Sequence, residues 1–346
     1  MSKKPTATRA KADPKKPTIA LTMGDPSGIG PELIVKVLSD ESVYQKCRPF
    51  VIADPRVMSV AAESAGVQVG LRPINDISEA EFRFNQLDVL KPGGVDVPKV
   101  EWGKLSCEMG QASALCLAEA YVLAQRGEVD GVVSAPLNKE AFHKAGYNYR
   151  DELEYLRDIT NSSDALLLGL AGRFWTVAVA EHVSFRSIPD LVKTERILSC
   201  IRRMSSTLLA VGLAEPRIAV AALNVHGGEG GLFGREEIDE IEPAIRQARA
   251  EGIAVSGPIP ADAVFVFAVA GEFDGVVCMY HDQANIARKL HATRRGATIF
   301  MGLPVPCSTT AHGTAFDIAG KGIAEPGSLS DALTCTTRLA SHSISK

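Results

Sequence analysis

The sequence predicts an α/β protein made of two intertwined α/β/α domains around a largely parallel sheet. Short apolar runs alternate with stretches of helical apolar spacing along most of the 346 residues. Runs that are almost entirely apolar, such as residues 174–180 and 275–280, are typical of strands buried on both faces. No linker rich in glycine, proline or serine follows residue 16, so we expect the chain to cross between its domains.

The individual elements follow from local patterns. Pro31 stands just inside a helix start after a glycine-containing loop, which predicts a strand–loop–helix junction, and Gly127 is placed to end a helix. We predict strands at residues 18–23, 49–53, 130–135, 165–170, 174–180, 217–223, 275–280 and 298–302. We predict helices at residues 56–65, 112–125, 190–211 and 235–250, near 283, and from 328 onward.

The strand order along the chain predicts the domain division. Residues 17–140 and 300–346 should form the first α/β domain, and residues 141–299 the second. Residues 1–16 are rich in Lys, Thr, Ala and Pro without an apolar segment, so we expect a disordered tail. A targeting peptide is the alternative for that basic segment.

The amino-acid composition and net charge limit the classes of partner that the protein could bind. An apolar content of 46% supports a full globular core, and a net charge of −4 gives no basic field for nucleic acid. No run approaches the roughly 20 apolar residues of a membrane span. The seven cysteines have no CxxC spacing, so we expect reduced thiols in a cytoplasmic protein.

Three histidines follow the carboxyl ends of predicted strands, where ligands bind in open α/β sheets. They are His182, His226 and His281. Three imidazoles at one edge could form a catalytic metal site with open positions for substrate, although any single one could be a polar residue at a loop start. Asp262 and Asp282 could ligate the metal, orient a ring or hold the substrate.

Two glycine-rich segments allow the backbone to approach a flat polar ligand. Residues 312–324 combine small residues and glycines with a carboxylate at the turn into a predicted helix, which indicates a dinucleotide site. Its candidate cofactor residues are His312, Gly313, Thr314, Asp317 and Gly320. Gly227 and Gly228, next to His226, are further candidates, and a hairpin is the alternative for their segment.

Six ordered motifs resemble the 4-hydroxythreonine-4-phosphate dehydrogenase family. They cover the chain from about residue 17 onward, and residues 312–324 are also similar to the adenosine-binding loop of isopropylmalate and isocitrate dehydrogenases. The motifs are MGDPSGIGPE at 23–32, PLNK at 136–139, NVHGGEGG at 224–231, GPIPAD at 257–262, YHDQ at 280–283 and HGTA at 312–315.

The resemblance implies a homodimer with active sites at the subunit interface and NAD or NADP as the oxidant. It implies a divalent cation (Zn, Mg, Mn or Co) held by His182, His226 and His281. It makes Asp262 and Asp282 site residues and Lys289 a substrate contact. Lys139 ends the second motif and is a further candidate for substrate binding.

Four positions depart from the family pattern. The family's Gly-His-Thr-Glu block aligns with residues 151–154, which places Glu152 at the His and Leu153 at the Thr. Its substrate-binding Asn and Arg align with Thr298 and Cys307. Loss of the guanidinium removes the usual bidentate partner of a phosphate, so we expect a rebuilt pocket. This favours a different polyol acid or a cyclic cis-diol carboxylate over the family's phosphorylated hydroxy-amino acid, which stays open as the alternative. The remaining cations that could substitute are Lys139, Arg288, Arg294 and Arg295.

The residues and the resemblance together predict oxidation of a secondary alcohol in a hydroxy acid, followed by decarboxylation. Lys289 or Asp262 would accept the hydroxyl proton, and Asp317 would seat the adenosine ribose. The alternatives are a cis-dihydrodiol carboxylate dehydrogenase, a phosphate acyltransferase-like enzyme and a non-catalytic dinucleotide-binding protein.

Overall fold

The computed structural model of the protein describes residues 16–292 and 295–344. Most of the predicted tail at residues 1–16 lies outside these ranges, as does Arg294. The strands are β1 Thr18–Thr22, β2 Arg48–Ile52, β3 Gly70–Ile74, β4 Gln86–Leu90, β5 Gly131–Ser134, β6 Leu166–Ala171, β7 Phe174–Ala180, β8 Ile218–Ala221, β9 Val255–Ile259, β10 Gly275–Tyr280, β11 Ala297–Met301 and β12 Cys307–Thr310.

Helices connect most of these strands, in the alternation that the sequence predicts. The helices are α1 Gly30–Val37, α2 Glu41–Lys46, α3 Pro55–Ala65, α4 Cys107–Gln125, α5 Lys139–Lys144, α6 Glu152–Thr160, α7 Ile188–Leu191, α8 Thr194–Ala210, α9 Glu242–Ala250, α10 Ala261–Ala270, α11 His281–His291 and α12 Gly327–Ile344. A short π-helical turn, Glu237–Ile241, leads into α9.

Within the described part of the chain, the strands form one twelve-stranded sheet in the order β3-β4-β2-β1-β5-β12-β11-β6-β7-β10-β8-β9. The pairs β12–β11, β11–β6 and β6–β7 are antiparallel, and the remaining pairs are parallel. The predicted α/β class with a largely parallel sheet is therefore confirmed. The central antiparallel strands reverse the direction of the sheet, so β7, β10, β8 and β9 run opposite to β1, β2 and β5.

Short polar side chains set the helix starts by accepting hydrogen bonds from backbone N–H groups that have no partner within the helix. Asp54 caps α3 ahead of Pro55 at the first helical position, and Ser106 caps α4. Asn138 caps α5, and Asp151 caps α6. The last two caps start the helices that carry Lys139 and Glu152, and so they fix the positions of two predicted substrate contacts.

The helix predicted at 190–211 is broken, and this part of the prediction is wrong. It ends at Leu191 and restarts at Thr194, because Lys193 is extended at φ −123° and ψ 145°. Glu240, from the turn before α9, accepts the Thr194 N–H at 2.8 Å and so caps α8. A partner distant in sequence supplies this cap, so the local apolar spacing gave no sign of the break.

The C-terminal third of the chain returns to the first half of the sheet. Strand β12 pairs with β5 in parallel and with β11 in antiparallel register, and α12 packs against both β12 and β5. This return agrees with a chain that crosses between halves, while the domain boundaries themselves stay a prediction. None of the described helices is long and apolar enough to cross a membrane. All seven cysteines are free, and six are buried.

Candidate active site

Two of the three predicted metal ligands meet because their strands are neighbours in parallel register. Tyr280 at the end of β10 pairs with Ala180 at the end of β7. His281 follows the first strand and His182 follows the second, so both leave the sheet at the same edge. Their ring centroids are 5.5 Å apart.

Glu181 joins these two histidines in a possible metal group. Donor atoms of Glu181, His182 and His281 all lie within 4.8 Å of one another. His226 is not part of this group among the described residues. Burial raises the pKa of Glu181, against the opposing effect of the nearby histidines and of Arg288. A half-buried carboxylate beside two imidazoles is a donor set that fits a divalent cation.

The loop Val225–Gly231 carries His226 and lies beyond the end of β8. Strand β8 ends at Ala221, earlier than predicted, and Glu237 then accepts the N–H groups of Leu223 and Asn224 at 2.8 Å each. His226 is exposed and has left-handed φ and ψ of 51° and 28°, with its Nδ1 3.3 Å from Glu229. The predicted role of His226 as a metal ligand stays a prediction.

Asp151 orients the His182 ring. Its Oδ2 lies 2.6 Å from His182 Nδ1, and its Oδ1 accepts the Glu154 N–H at 2.8 Å. Burial acts to raise the pKa of Asp151, but the hydrogen bonds from His182 and Glu154 hold it below its usual value. The same contact raises the pKa of His182. With Nδ1 occupied, Nε2 is the His182 atom left for a metal ion.

Glu152, the next residue, points toward the end of β5. It accepts a hydrogen bond from Ser134 Oγ. Burial raises the pKa of Glu152 to about 7, and the charge of Asp151 adds to this rise, while Lys139 opposes it. The structure therefore brings Lys139, Glu152 and the metal group into one electrostatic neighbourhood. Near neutral pH this carboxyl is divided between its neutral and its charged form.

Three of the predicted substrate contacts are enclosed. Leu153 is 8% exposed on the core side of α6, and Cys307 is fully buried on β12 beside the Tyr121 hydroxyl. Burial raises the pKa of the Cys307 thiol well above its usual value. Thr298 on β11 is 7% exposed. The first two side chains belong to the main core in this structure and offer no surface to a ligand.

The remaining predicted polar residues are exposed. Asp282 lies beside His281, with its Oδ1 2.8 Å from His281 Nδ1. Asp262 stands in the first turn of α10, and Lys289 in the last turn of α11. None of the hydrogen bonds or ion pairs of the described residues links Asp262 to Lys289 or to the metal group.

The predicted cofactor segment is held against α1. Lys36 Nζ donates to the carbonyl oxygens of Gly322 at 2.9 Å and Ala324 at 2.8 Å. Buried Glu32 accepts the Ala324 N–H at 2.8 Å and pairs with Lys36 at 2.7 Å. An ion pair within one helix thus fixes the C-terminal end of residues 312–324.

Two glycines show why small residues are needed there. A Cβ at Gly28 would lie 2.9 Å from Thr314 Cβ, and the Ile29 N–H donates to the Thr314 carbonyl at 3.0 Å. Gly320 has φ of 75°, and a Cβ there would overlap Trp102. The loop after β1 therefore packs directly on the predicted dinucleotide segment, while His312, Gly313 and Asp317 remain exposed.

Gly227 and Gly228, the other predicted cofactor residues, lie on the loop of His226. Their φ values are 68° and 78°, and a Cβ at Gly228 would lie 2.8 Å from Glu237 Oε2. Among the described residues, the hydrogen bonds of this loop do not reach residues 312–324. The structure gives these glycines a backbone role and does not bring them to that segment.

A basic cavity of about 330 Å³ connects the two predicted regions. Arg288 and Lys289 from α11 line it together with Arg295 and His312. Arg295 is paired with Asp331 through two hydrogen bonds. The cavity therefore brings predicted substrate and cofactor residues to one place, and its charge suits an anion.

Sequence reasoning missed the roles of Glu181, Asp151 and Arg288. Glu181 directly precedes a predicted ligand at a strand end, which is a signal that could have been used. Asp151 is visible as a helix cap, but its contact with His182 spans 31 residues. Arg288 is considered only as one of several cations that could replace the missing arginine.

The fold and the site define an α/β dehydrogenase-like protein with a candidate metal group and a dinucleotide-type loop. Residues 45–336 match the family described as pyridoxal phosphate biosynthetic protein PdxA, and the chain belongs to this family. It is therefore an oxidoreductase that acts on a CH–OH group, as its relatives are named.

Relatives at 40% identity span nearly the whole chain. One is the putative D-threonate 4-phosphate dehydrogenase of Symbiobacterium thermophilum, which is aligned over 94% of this chain and 97% of its own length. Another is the putative 4-hydroxythreonine-4-phosphate dehydrogenase 2 of Pseudomonas aeruginosa, with 95% and 98% covered. The predicted family resemblance is confirmed.

Solved structures agree with the fold. A putative 4-hydroxythreonine-4-phosphate dehydrogenase from Salmonella typhimurium superposes with a TM-score of 0.81 at 38% identity, over 94% of this chain and 100% of the other. A terephthalate 1,2-cis-dihydrodiol dehydrogenase from Burkholderia xenovorans gives a TM-score of 0.63 at 30% identity, over 91% and 95%.

Proposed function

We propose that the chain catalyses metal-dependent, NAD(P)-linked oxidation of a secondary alcohol in a 4-phosphorylated hydroxy acid, with decarboxylation of the product. The observation that carries this proposal is the group of Glu181, His182 and His281, oriented from behind by Asp151. D-Threonate 4-phosphate and 4-hydroxythreonine-4-phosphate are the first candidates, because relatives at 40% identity are named for them.

The donor set supports the metal part of the proposal. Two imidazoles and a carboxylate suit zinc, and the same set can hold Mn²⁺ or Co²⁺, with Mg²⁺ favouring more oxygen ligands. A bound cation would lower the pKa of the substrate hydroxyl and stabilise the oxyanion formed during oxidation and loss of CO₂. Glu181 and His182 would fix its position on the sheet edge.

Protein side chains would supply the proton acceptor and the cofactor-binding groups. Lys289 or Asp262 would accept the hydroxyl proton; Lys289 lines the basic cavity, and Asp262 offers a carboxylate in the first turn of α10. His312, Gly313, Thr314, Asp317 and Gly320 would bind the adenosine half of NAD or NADP. Lys36 and Glu32 would keep that segment in place without touching the cofactor.

The substrate pocket would differ from the family pattern, because Leu153 and Cys307 are withdrawn into the core and Glu152 and Thr298 replace the family's residues at two further positions. The sequence departures favour a substrate other than the family's phosphorylated acid, whereas the names of the relatives favour a phosphate. A cyclic cis-dihydrodiol carboxylate remains the second candidate, because a protein named for such a substrate is 30% identical over most of the chain.

We also propose a homodimer with this site at its interface. Of the large apolar side chains that are exposed among the described residues, most fall between residues 183 and 290. Val266 on α10 is 65% exposed, and Leu290 on α11 is 78% exposed. Asp262 stands in the first turn of α10 and Lys289 in the last turn of α11, so the apolar surface shares its helices with two proposed site residues. A second copy of the chain would cover it.

His226 would complete the ligand set, either from the same chain or from the partner copy. Mixing His226→Ala with His182→Ala protein tests this directly. If His226 comes from the partner, each mixed dimer holds one intact site, and activity returns when the two inactive variants are combined. If all ligands come from one chain, mixing restores nothing.

The decisive experiment follows NAD and NADP reduction with each hydroxy acid, in phosphorylated and unphosphorylated form, and with a cis-dihydrodiol carboxylate. The assays contain Zn²⁺, Mg²⁺, Mn²⁺ or Co²⁺ in turn, and a chelated sample is the control. Metal-dependent reduction with a phosphorylated acid supports the proposal. Turnover only with the dihydrodiol moves the function to the second candidate. Because the oxidant is a pool of NAD(P), we propose the cytoplasm as the location.

A further inference from the structure

Arg288 is a buried cation with an unused donor. It is 9% exposed, and one of its guanidinium nitrogens donates to Asn285 Oδ1. Its Nη1 is shielded from solvent and has no hydrogen-bond acceptor among the described residues. Burial lowers the pKa of Arg288, and the nearby Glu181 opposes this effect without forming an ion pair. A buried guanidinium in this condition is stabilised when an anion binds beside it.

The sheet beneath Arg288 is shaped to admit it. Nη1 occupies the space above Gly169 that a Cβ would fill. Gly169 on β6 is paired with Thr298 on β11 in antiparallel register. Directly opposed residues present their side chains on the same face, about 5 Å apart. The guanidinium therefore lies beside Thr298, the position that matches a substrate-binding residue of the family.

The charges of the side chains that line the cavity also favour binding of an anion by Arg288. Of the cations that line it, Arg295 is neutralised by Asp331. Arg288 and Lys289 have no ion-pair partner among the described residues. Arg288 also follows His281 by seven residues on α11, so the two side chains leave the same side of the helix about 10 Å apart along its axis. That span suits a short substrate with its hydroxyl at one end and an anionic group at the other.

We propose that Arg288 binds the anionic group of the substrate, a phosphate or carboxylate oxyanion, and so takes over the role lost at Cys307. This inference rests on the proposed function. Cys307 is sealed in the core on β12, whereas Arg288 reaches the same face of the sheet from α11. A guanidinium can bind either oxyanion with two parallel hydrogen bonds, which gives it both charge and orientation.

The test uses the metal-loaded full chain and the variants Arg288→Gln, Arg288→Lys and Gly169→Ala. The last variant keeps the arginine but displaces its guanidinium. Arg246→Gln, on the exposed face of α9, is the matched control for loss of one positive charge. Binding of inorganic phosphate is measured by calorimetry, which needs no turnover. Thermal melting checks that each variant is folded.

We expect phosphate affinity to fall at least tenfold in Arg288→Gln and Gly169→Ala, less in Arg288→Lys, and not in the control. KM for the substrate should rise by a similar factor, while KM for NAD stays unchanged. A penalty confined to the phosphorylated substrate identifies the phosphate as the bound group, and a penalty on both forms identifies the carboxylate. Unchanged phosphate affinity and unchanged KM in folded Arg288→Gln overturn the inference. Loss of phosphate binding in Arg288→Gln, when the wild type binds phosphate but oxidises no hydroxy acid, supports the anion site and rejects the proposed function.

Discussion

His182 and Asp151 form a contact that joins a strand end to a helix start. The carboxylate holds the imidazole through Oδ2 at 2.6 Å, and through Oδ1 it caps α6. One side chain thus sets both the orientation of a predicted metal ligand and the start of the helix that carries Glu152. Carboxylates behind metal-binding histidines fix the ring tautomer and raise its basicity.

We predict that Asp151→Asn weakens metal binding by about 10-fold to 100-fold. An asparagine keeps the Oδ1 acceptor for the Glu154 N–H, so α6 should remain folded. Titration of the apo protein with Zn²⁺ or Mn²⁺ measures the effect. Asp76→Asn, at the start of a short 3₁₀ helix over Ile77–Glu79, is the control that should leave metal affinity unchanged. Equal affinities in Asp151→Asn and wild type would show that the contact is structural only.

The pH dependence of substrate binding should report on Glu152. Its pKa is raised to about 7, so the carboxyl is mostly neutral below this pH and charged above it. Because the proposed substrate is an anion, we expect KM to rise as the pH passes through 7, and we expect this rise to be absent in Glu152→Gln. Steady-state KM between pH 6 and 8.5 is the measurement. Glu63→Gln, exposed on α3, should keep the wild-type profile, and an unchanged profile in Glu152→Gln would contradict the assignment.

Local pattern predicted the buried parallel strands well. Phe174–Ala180 and Gly275–Tyr280 are found with the predicted bounds, because a strand buried on both faces is apolar at nearly every position. No pattern predicted β3 or β9, and β4 and β12 were missed as well. The first, Gly70–Ile74, lies at the sheet edge and is largely exposed, and the second, Val255–Ile259, contains a glycine and a proline. Their pairing partners, rather than their composition, make them strands.

The sequence predicted the strands that lead to the candidate site, but not the contacts made beyond the ends of those strands. Placing His182 and His281 after neighbouring strands predicted their proximity, because parallel register fixes where the chain leaves the sheet. His226 follows the same rule in the sequence, yet Glu237 accepts the backbone N–H groups of Leu223 and Asn224 after β8, and among the described residues His226 is not part of the group of Glu181, His182 and His281. Asp151 and Arg288 act through contacts across 31 and 119 residues, the latter with Gly169, and no local spacing encodes such contacts.

Buried Asp25 should make stability depend on pH. Burial raises its pKa from 3.8 to about 6, and Oδ2 has no partner among the described residues. Between these values the unfolded chain loses the proton and the folded protein keeps it, so the free energy of unfolding falls as the pH rises. The loss should total about 3 kcal/mol by pH 7 and should be absent from Asp25→Asn.

Urea unfolding of both proteins at pH 4, 5, 6 and 7 measures this difference. Asp25→Asn retains an oxygen that can accept the Ser27 N–H, which is 2.8 Å away. Asp40→Asn is the control, because that exposed carboxylate caps α2 and its hydrogen bonds to Ser42 lower its pKa. It should show no gain in relative stability at neutral pH. A constant difference between Asp25→Asn and wild type at all four pH values would mean that Asp25 is not the titrating group.

Lys36 should control cofactor binding from a distance. Lys36→Met removes the donor shared by the carbonyl oxygens of Gly322 and Ala324, so residues 312–324 lose their anchor. We expect KM for NAD to rise about tenfold, the effect of losing about 1.4 kcal/mol of binding free energy, while metal affinity stays unchanged.

Lys36→Met also leaves buried Glu32 without its cation, which should lower the free energy of unfolding by about 3 kcal/mol. The double variant with Glu32→Gln separates the two effects. It should recover stability, because no buried charge remains, but not NAD affinity, because Gly322 and Ala324 still lack their donor. Recovery of both in the double variant would show that Lys36 acts only through folding.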